Sequence, residues 1–237
     1  SFLIITTAIL AASCSGKRGN LHKRDTVSID LDSMTARGKL IALTDFNSTN
    51  YFVYRGEPMG FQYELLQALS AHLGVSIEIV TENHIDKAFD MLHTGKADIL
   101  AMNLAVTPSR KREIRFTESI SETRHVLVQK KPSGWKKMPG EEVEKTLVRE
   151  PSGLKGKTLH VQEHSSHASF LKSLARETGI KFTVREMPFE SEELIQLVEN
   201  GELELVVCDE DVATVNSTYY PDIDVKTPLG PVHGISW

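Results

Sequence analysis

Cysteine is scarce in this sequence, which has only Cys14 and Cys208 among its 237 residues. Cys14 follows an apolar run at the N-terminus, whereas Cys208 lies inside the apolar run 205–208. A cysteine next to an N-terminal signal and one in a predicted strand are not expected to pair. We therefore expect no intrachain disulfide.

Positive charge is not in excess either, because 27 lysines and arginines are outnumbered by 32 acidic residues, giving a formal net charge of -5. Such a chain has no general attraction for phosphate backbones, so nucleic-acid binding is not expected. The basic cluster at 110–115 consequently needs a local explanation. With 40% hydrophobic and 25% charged residues, the chain has the composition of an ordinary globular protein with a real core.

Long hydrophobic runs are also lacking. The apolar run 2–12 is shorter than the about 20 residues that a bilayer crossing needs. It ends in small residues before Cys14, a pattern typical of an export signal, and "AASC" resembles a bacterial lipobox. We therefore expect a lipoprotein signal peptide at 1–14, lipidation of Cys14 and a polar tether at 15–37. Plain secretion with an incidental cysteine is the alternative.

Cofactor and metal signatures are missing as well. No segment resembles a phosphate-binding Walker loop, a dinucleotide fingerprint or a Ser-His-Asp nucleophile elbow, so no cofactor is predicted. His160, His164 and His167 are closely spaced, but His160 belongs to a predicted strand and would not share a helical face with the other two. No cysteine or second histidine cluster completes a ligand set, and we predict no metal site.

A repeated order of elements gives the architecture. A helical pattern ending at Gly74 is followed by a strand, a second helix ending before Gly95 and another strand. The same order returns about a hundred residues later, with nearly the same spacing between the corresponding Gly179 and Gly201. Each copy is preceded by a strand, at 39–44 and 157–162.

This repeat predicts an α/β protein of two lobes, each with a doubly wound sheet. We place lobe 1 at 38–126 and lobe 2 at 127–225, with 226–237 as an incomplete return crossover to lobe 1. A single α/β domain with chance internal similarity is the alternative. In a two-lobed protein of this class, ligands bind between the lobes at the carboxyl ends of the strands. Those ends are 45–48, 103–107, 164–166 and 209–211.

The sequence around these ends resembles a known family. The segments "GKADILAMNLAVTPSRKREIRFT", "LKGKTLHVQEHSS" and "LVVCDEDVA" are similar to bacterial family 3 extracellular solute-binding proteins, which are amino-acid-binding receptors. That resemblance covers 39–226 and implies a periplasmic-binding-protein fold of type II, a two-lobed clamshell. A narrower similarity, in "YFVYRGEPMGFQYEL" and "DEDVATVNSTYYPDIDV", is to the N-terminal receptor domain of the membrane-bound lytic murein transglycosylase F family.

The resemblance implies residue roles. Arg110 would hold a ligand's α-carboxylate with its forked guanidinium, and Asp209 would bind the α-ammonium. Ser165 and Ser166 would assist with hydroxyls and backbone N–H groups at a helix N-terminus. Tyr51 would pack on the ligand's side chain. The remaining candidate contacts are Asp45, Asn103 and Ala105.

Two alternatives stay open at these positions. Arg110 could instead pair with Glu113 or Glu118 on the surface, as we expect Lys111, Arg112 and Arg115 to face solvent. Asp209 is followed by Glu210 and Asp211, and any of the three acids could face the cleft.

The expected function is therefore capture of an amino acid or a short cell-wall peptide. The resemblance implies a regulatory module whose lysozyme-like peptidoglycan-cleaving domain lies beyond this chain, held at the outer membrane from the periplasmic side by a lipid anchor. Glu118 and Glu190 each precede a serine but lack the surroundings of a transglycosylase glutamate, so no catalytic residue is predicted. The alternatives are a substrate-binding lipoprotein that serves the permease of an amino-acid ABC importer, and a sensor domain ahead of a transmembrane helix.

Overall fold

A computed structural model describes residues 27 and 30–237 of this chain. The expected signal peptide at 1–14, including Cys14, lies outside the described residues. The end of the segment expected to be a tether differs from that expectation, because it forms helix α1 (Leu31–Arg37). Asp30 starts this helix by accepting a hydrogen bond from the backbone N–H of Ser33 at 2.8 Å, a capping contact that needs no hydrophobic periodicity.

Lobe 1 is built on a three-stranded parallel sheet with a short hairpin beside it. Its elements, in chain order, are β1 (Lys39–Thr44), β2 (Phe52–Tyr54), β3 (Glu57–Met59), α2 (Phe61–Leu73), β4 (Ser76–Thr81), α3 (Ile85–His93) and β5 (Ile99–Leu100). The sheet order is β4-β1-β5, and β2 pairs with β3. Alternate residues of β1 point to opposite faces, so Leu43 packs with Phe89 of α3 while Ala42 packs with Leu66 of α2.

Lobe 2 is built on a five-stranded sheet in the order β10-β9-β11-β8-β12. Its elements are β8 (His125–Lys130), α4 (Gly140–Thr146), β9 (Thr158–Gln162), α5 (Ser166–Thr178), β10 (Thr183–Met187), α6 (Ser191–Asn200), β11 (Leu205–Asp209), α7 (Glu210–Tyr219) and β12 (Ile223–Pro228). Strands β9, β10 and β11 are parallel, whereas β8 runs antiparallel to β11 and β12 antiparallel to β8.

Helices cover both faces of the lobe 2 sheet. Leu127 and Val207 pack with Leu171 of α5 on one face, and the neighbouring Cys208 packs with Leu194 of α6 on the other. Burial on both faces accounts for the continuous apolar run 205–208, which forms β11 up to Asp209. The repeat predicted from the sequence is confirmed, since α2-β4-α3-β5 in lobe 1 matches α5-β10-α6-β11 in lobe 2.

A small third sheet joins the lobes. It has the order β6-β13-β7, with β6 (Leu104–Ala105), β7 (Ser121–Thr123) and β13 (His233–Ser236). The chain passes into lobe 2 at Arg124, between β7 and β8, and returns between β12 and β13. Because β12 continues to Pro228, the return begins three residues later than the lobe boundary expected at 225.

The last residue docks in lobe 1. Trp237 is buried, and its indole N–H donates to the side-chain carbonyl of Gln62 at 2.6 Å. None of the helices between residues 30 and 237 combines the length and hydrophobicity that a bilayer crossing requires.

Candidate functional site

The carboxyl ends of the parallel strands in both lobes meet around a cavity of about 100 Å³. Seven of the eight predicted ligand contacts line it, namely Asp45, Asn103, Ala105, Arg110, Ser165, Ser166 and Asp209. The eighth, Tyr51, does not line this cavity. Its ring packs between Phe46 and Tyr63, with ring centroids 6.0 and 6.1 Å away, and this aromatic group holds it beside the cleft.

Arg110 begins a short 3-10 turn that follows the third sheet's first strand. Its Nη1 donates to the backbone carbonyl of Ala105 at 3.1 Å, which fixes the guanidinium at the cavity. Burial lowers the pKa of Arg110, and attraction to Asp209 opposes that shift. Within the described part of the chain, Arg110 forms no ion pair with Glu113 or Glu118. Lys111, Arg112 and Arg115 are exposed.

The N-terminus of α5 supplies the other groups suited to an anion. Ser165 is the N-cap residue, and its hydroxyl donates to the carbonyl of Gln162 at 2.6 Å. Ser166 is the first helical residue. Backbone N–H groups in a first helical turn have no partner within the helix, so this end of α5 favours a carboxylate.

The three consecutive acids after β11 have different surroundings. Glu210 pairs with Arg124, with 2.6 Å between Oε1 and Nη2. Asp211 accepts a hydrogen bond from the hydroxyl of Thr123 at 3.0 Å. Of these three acids, Asp209 is the one that lines the cavity.

Asp209 lies among three histidines. Its Oδ1 is 3.3 Å from Nδ1 of His125, 3.9 Å from Nε2 of His233 and 4.0 Å from Nδ1 of His167. Burial raises the pKa of Asp209, but attraction to His167, His125 and His233 outweighs it and leaves the pKa below its usual value. Burial also lowers the pKa of His167, to about 4.

Sequence spacing did not reveal this histidine cluster. His125 and His233 stand at the two crossings between the lobes, more than a hundred residues apart in the sequence. Of the closely spaced histidines considered from the sequence, His167 belongs to this cluster, whereas His160 and His164 have other partners. His160 contacts the carbonyl of Leu205 at 3.2 Å, and exposed His164 pairs with Asp86 at 3.0 Å.

A polar group from lobe 2 was also missed. Gln162, the last residue of β9, donates to Oε2 of Glu190 at 2.8 Å and accepts from the hydroxyl of Ser191 at 3.1 Å. Burial raises the pKa of Glu190 to about 7, and the negative charge of Asp45 in lobe 1 adds to the shift. The position of Gln162 at a strand end was the available sequence signal.

The cleft continues outward into a second cavity of about 410 Å³. Gln162 and Glu190 line both cavities, while Phe46 of lobe 1 and Phe189 of lobe 2 line the outer one. The lobes also touch directly across the cleft. Ser48 donates its hydroxyl to Oε1 of Glu192 at 2.5 Å, so the two lobes are in contact at the mouth.

Comparison with known protein families gives the same class of protein as the two-lobed cleft. The sequence profile of the bacterial extracellular solute-binding proteins, family 3, matches residues 39–164. This chain belongs to that family.

Curated relatives of this solute-binding chain share a further name. A membrane-bound lytic murein transglycosylase F from Desulfosudis oleivorans is 31% identical over 204 residues, which cover 84% of this chain and 41% of that protein. One from Pseudomonas syringae pv. syringae is 28% identical over 209 residues, which cover 87% of this chain and 39% of that protein. The solute-binding chain therefore spans about two fifths of the length of these relatives.

Solved structures confirm the predicted clamshell fold of type II. An ancestral arginine-binding protein bound to arginine has a TM-score of 0.67 and 24% identity, with 84% of each chain covered. Holo ArgBP from T. maritima has a TM-score of 0.65 and 22% identity, covering 86% of this chain and 84% of its own. At these identities, the likeness establishes the fold of the solute-binding chain.

Proposed function

We propose that this solute-binding domain captures an amino acid or a short cell-wall peptide between its lobes. The observation that carries the proposal is the placement of Arg110, Asp209 and the N-terminus of α5 around one cavity. A guanidinium and helical N–H groups suit an α-carboxylate, and an ionised carboxylate suits an α-ammonium. The amino-acid-binding proteins that share this fold support the same class of ligand.

The two cavities favour a ligand larger than a free amino acid. In this proposal, the inner cavity of about 100 Å³ holds the charged end of the ligand. The outer cavity of about 410 Å³ holds the remainder, with Phe46 and Phe189 offering apolar contact and Glu163 and Glu193 offering negative charge. This division supports a short peptide over a free amino acid.

The full protein is proposed to be a lytic murein transglycosylase in which this domain regulates a catalytic domain elsewhere in the protein. Relatives with that name support this assignment over the importer alternative, since the chain matches only about two fifths of their length. A periplasmic location with a lipid anchor at Cys14, in the outer membrane, belongs to the same proposal. In this proposal the regulatory signal is closure of the lobes around the ligand, and Ser48 and Glu192 are the groups that meet across the mouth of the cleft.

Calorimetry with a panel of amino acids and muropeptides tests the proposed ligand class. We expect Arg110→Ala to weaken binding by about 2 kcal/mol or more, because a buried charged pair loses one partner. The matched control is Arg112→Ala, an exposed arginine in the same turn. Equal affinities for wild type and Arg110→Ala would remove the carboxylate contact from the proposal.

A further inference from the structure

Three potential metal ligands meet where the chain crosses between the lobes. His125 begins β8 directly after the first crossing, His233 begins β13 directly after the return crossing, and Asp209 ends β11 in lobe 2. Strand pairing brings the crossings together, since His233 is paired with Thr123 in the third sheet. The two crossings between the lobes form the hinge. The three side chains thus link both crossings to the sheet of lobe 2.

The ligand atoms are already close to a metal-binding arrangement. His125, Asp209 and His233 each offer one ligand atom, and these three atoms lie within 4.8 Å of one another. The individual distances to Asp209 Oδ1 are 3.3 Å from His125 and 3.9 Å from His233. Ligand atoms around a tetrahedral zinc ion are about 3.4 Å apart, so only a small movement of side chains is needed.

Unsatisfied polar atoms point to the same place. Among the residues that the structure describes, six buried side-chain atoms form no hydrogen bond of good geometry, and two of them, Asp209 Oδ1 and His233 Nε2, lie 3.9 Å apart. Buried polar atoms are nearly always satisfied in folded proteins, so two adjacent exceptions call for a physical cause. A cation coordinated by both atoms satisfies them together.

We propose that His125, Asp209 and His233 form a binding site for a divalent transition metal of the Zn²⁺ class at the hinge. Two imidazole nitrogens and one carboxylate oxygen suit Zn²⁺, whereas Mg²⁺ and Ca²⁺ prefer sets made of oxygen. The nearest further imidazole is that of His167, whose Nδ1 is 3.2 Å from Nδ1 of His125. The thiol of Cys208 is not part of the set, because it packs in the apolar core beneath α6.

This proposal is independent of the proposed function, although both involve Asp209. A metal on Oδ1 reduces the negative charge that Asp209 presents to the cleft. It also ties the two crossings to lobe 2, which restricts the hinge. We therefore expect Zn²⁺ to change the affinity for any ligand bound between the lobes.

The test uses the chain without a polyhistidine tag, stripped with EDTA and titrated with Zn²⁺ in a non-chelating buffer at pH 7.5. We expect one Zn²⁺ per chain and, with Co²⁺ as a spectroscopic probe, visible absorption bands of the intensity typical of four-coordinate nitrogen and oxygen ligation. His233→Ala and His125→Ala should each weaken Zn²⁺ binding by about 100-fold. The matched control is His164→Ala, which removes an exposed histidine at the outer cleft and should leave the affinity unchanged.

Several outcomes overturn the metal site. The site is rejected if the wild type binds no stoichiometric Zn²⁺, or if His233→Ala binds Zn²⁺ with the same affinity as the wild type. It is also rejected if His164→Ala loses Zn²⁺ binding, because the metal would then occupy an adventitious surface site. Circular dichroism checks that each variant is folded, and His233→Gln takes the place of His233→Ala if the latter does not fold. If neither variant folds, the Co²⁺ spectrum of the wild type decides alone, and a six-coordinate spectrum rejects the site.

The outcome for the proposed function is read separately. Calorimetry with the amino-acid and muropeptide panel is repeated on the EDTA-treated wild type. Ligand binding without Zn²⁺ binding rejects only the metal site. Zn²⁺ binding without any binding of an amino acid or muropeptide rejects only the proposed ligand class.

Discussion

Ser48 of lobe 1 and Glu192 of lobe 2 join the two sides of the cleft, through a hydroxyl contact of 2.5 Å and a backbone N–H contact of 3.2 Å to the same carboxylate oxygen. Ser48 lies in the connection between β1 and β2, and Glu192 is in the first turn of α6. Their contact therefore reports directly on the separation of the lobes.

A double-mutant cycle measures whether this contact holds in solution. We expect Ser48→Ala and Glu192→Ala to be coupled by about 0.5–1 kcal/mol in the free energy of unfolding, because each variant removes the same charged hydrogen bond. Urea titrations of the wild type, both single variants and the double variant supply the four values. Strictly additive effects would mean that the lobes are separated in solution.

Glu190 should make the stability of the domain depend on pH. Its pKa is raised from the ordinary value of 4.5 to about 7 in the folded chain. Between pH 4.5 and pH 7, the folded state therefore binds more protons than the unfolded state. Stability is therefore highest below pH 4.5 with respect to this group and falls as pH rises through 7. After allowance for solvent screening of a partly exposed carboxyl, we expect a loss of about 1–2 kcal/mol between pH 5 and pH 8.

The matching variant is Glu190→Gln, which cannot ionise and should flatten this part of the pH profile in urea titrations. Asp45 contributes with the same sign because burial raises its pKa too, so the informative quantity is the difference between the wild type and the variant. Glu177→Gln, which changes an exposed carboxyl in α5, is the control. A profile for Glu190→Gln that is parallel to the wild type would contradict the assignment.

The periodicity of apolar residues predicted most of the fold. Helices that end at glycine and strands buried on both faces have short, recognisable sequence patterns, so both copies of the repeat could be identified from the sequence. Gly74 and Gly179 illustrate this, since each adopts a left-handed conformation and donates its N–H to a carbonyl four residues earlier. The short strands β6 and β13 have no such sequence pattern, because their pairing depends on contacts between distant parts of the chain.

The candidate site was accessible from the sequence only in part. Ser165 and Asp209 lie at predicted strand ends, and the family resemblance implied the role of Arg110 a few residues beyond another. His125 and His233 were not accessible, because a strand residue gives no sign of which distant strand it will face. For Tyr51, nothing in the sequence indicated its packing between the rings of Phe46 and Tyr63, and its contact with a ligand stays a prediction.

Arg149 holds a buried carboxylate in lobe 2. Its Nη1 and Nη2 bind the two oxygens of Asp224 at 2.5 and 3.0 Å, and the side chain of Asp224 is only 3% exposed. Arg149→Met keeps an apolar stem but leaves that carboxylate without its cation. We expect a loss of about 3 kcal/mol in the free energy of unfolding, measured by urea titration at pH 7.

The comparison for Arg149 is an exposed ion pair. Arg124→Met breaks the pair with Glu210, in which both side chains are more than a third exposed, and should leave stability nearly unchanged. The double variant Arg149→Met/Asp224→Asn should recover part of the loss, since the buried charge is then gone. Equal effects of Arg149→Met and Arg124→Met would show that the Asp224 carboxylate is solvated rather than buried.

Gly60 should tolerate no side chain. It precedes α2 with φ 125° and ψ 162°, a conformation essentially restricted to glycine, and a Cβ there would lie 2.3 Å from the backbone carbonyl oxygen of Asn50. Asn50 cannot move away freely, because its backbone carbonyl accepts from the N–H of Gln62 and its side chain binds Asp45 in the cleft. We expect Gly60→Ala to lower the free energy of unfolding by about 3 kcal/mol or more, measured by thermal or urea unfolding.

Gly140→Ala is the matched control, since a Cβ at the start of α4 meets no atom within 4 Å and alanine favours a helix. Similar stabilities for the two variants would mean that the loop at Asn50 yields, and ligand affinity in Gly60→Ala would then be expected to change through the displaced Asp45.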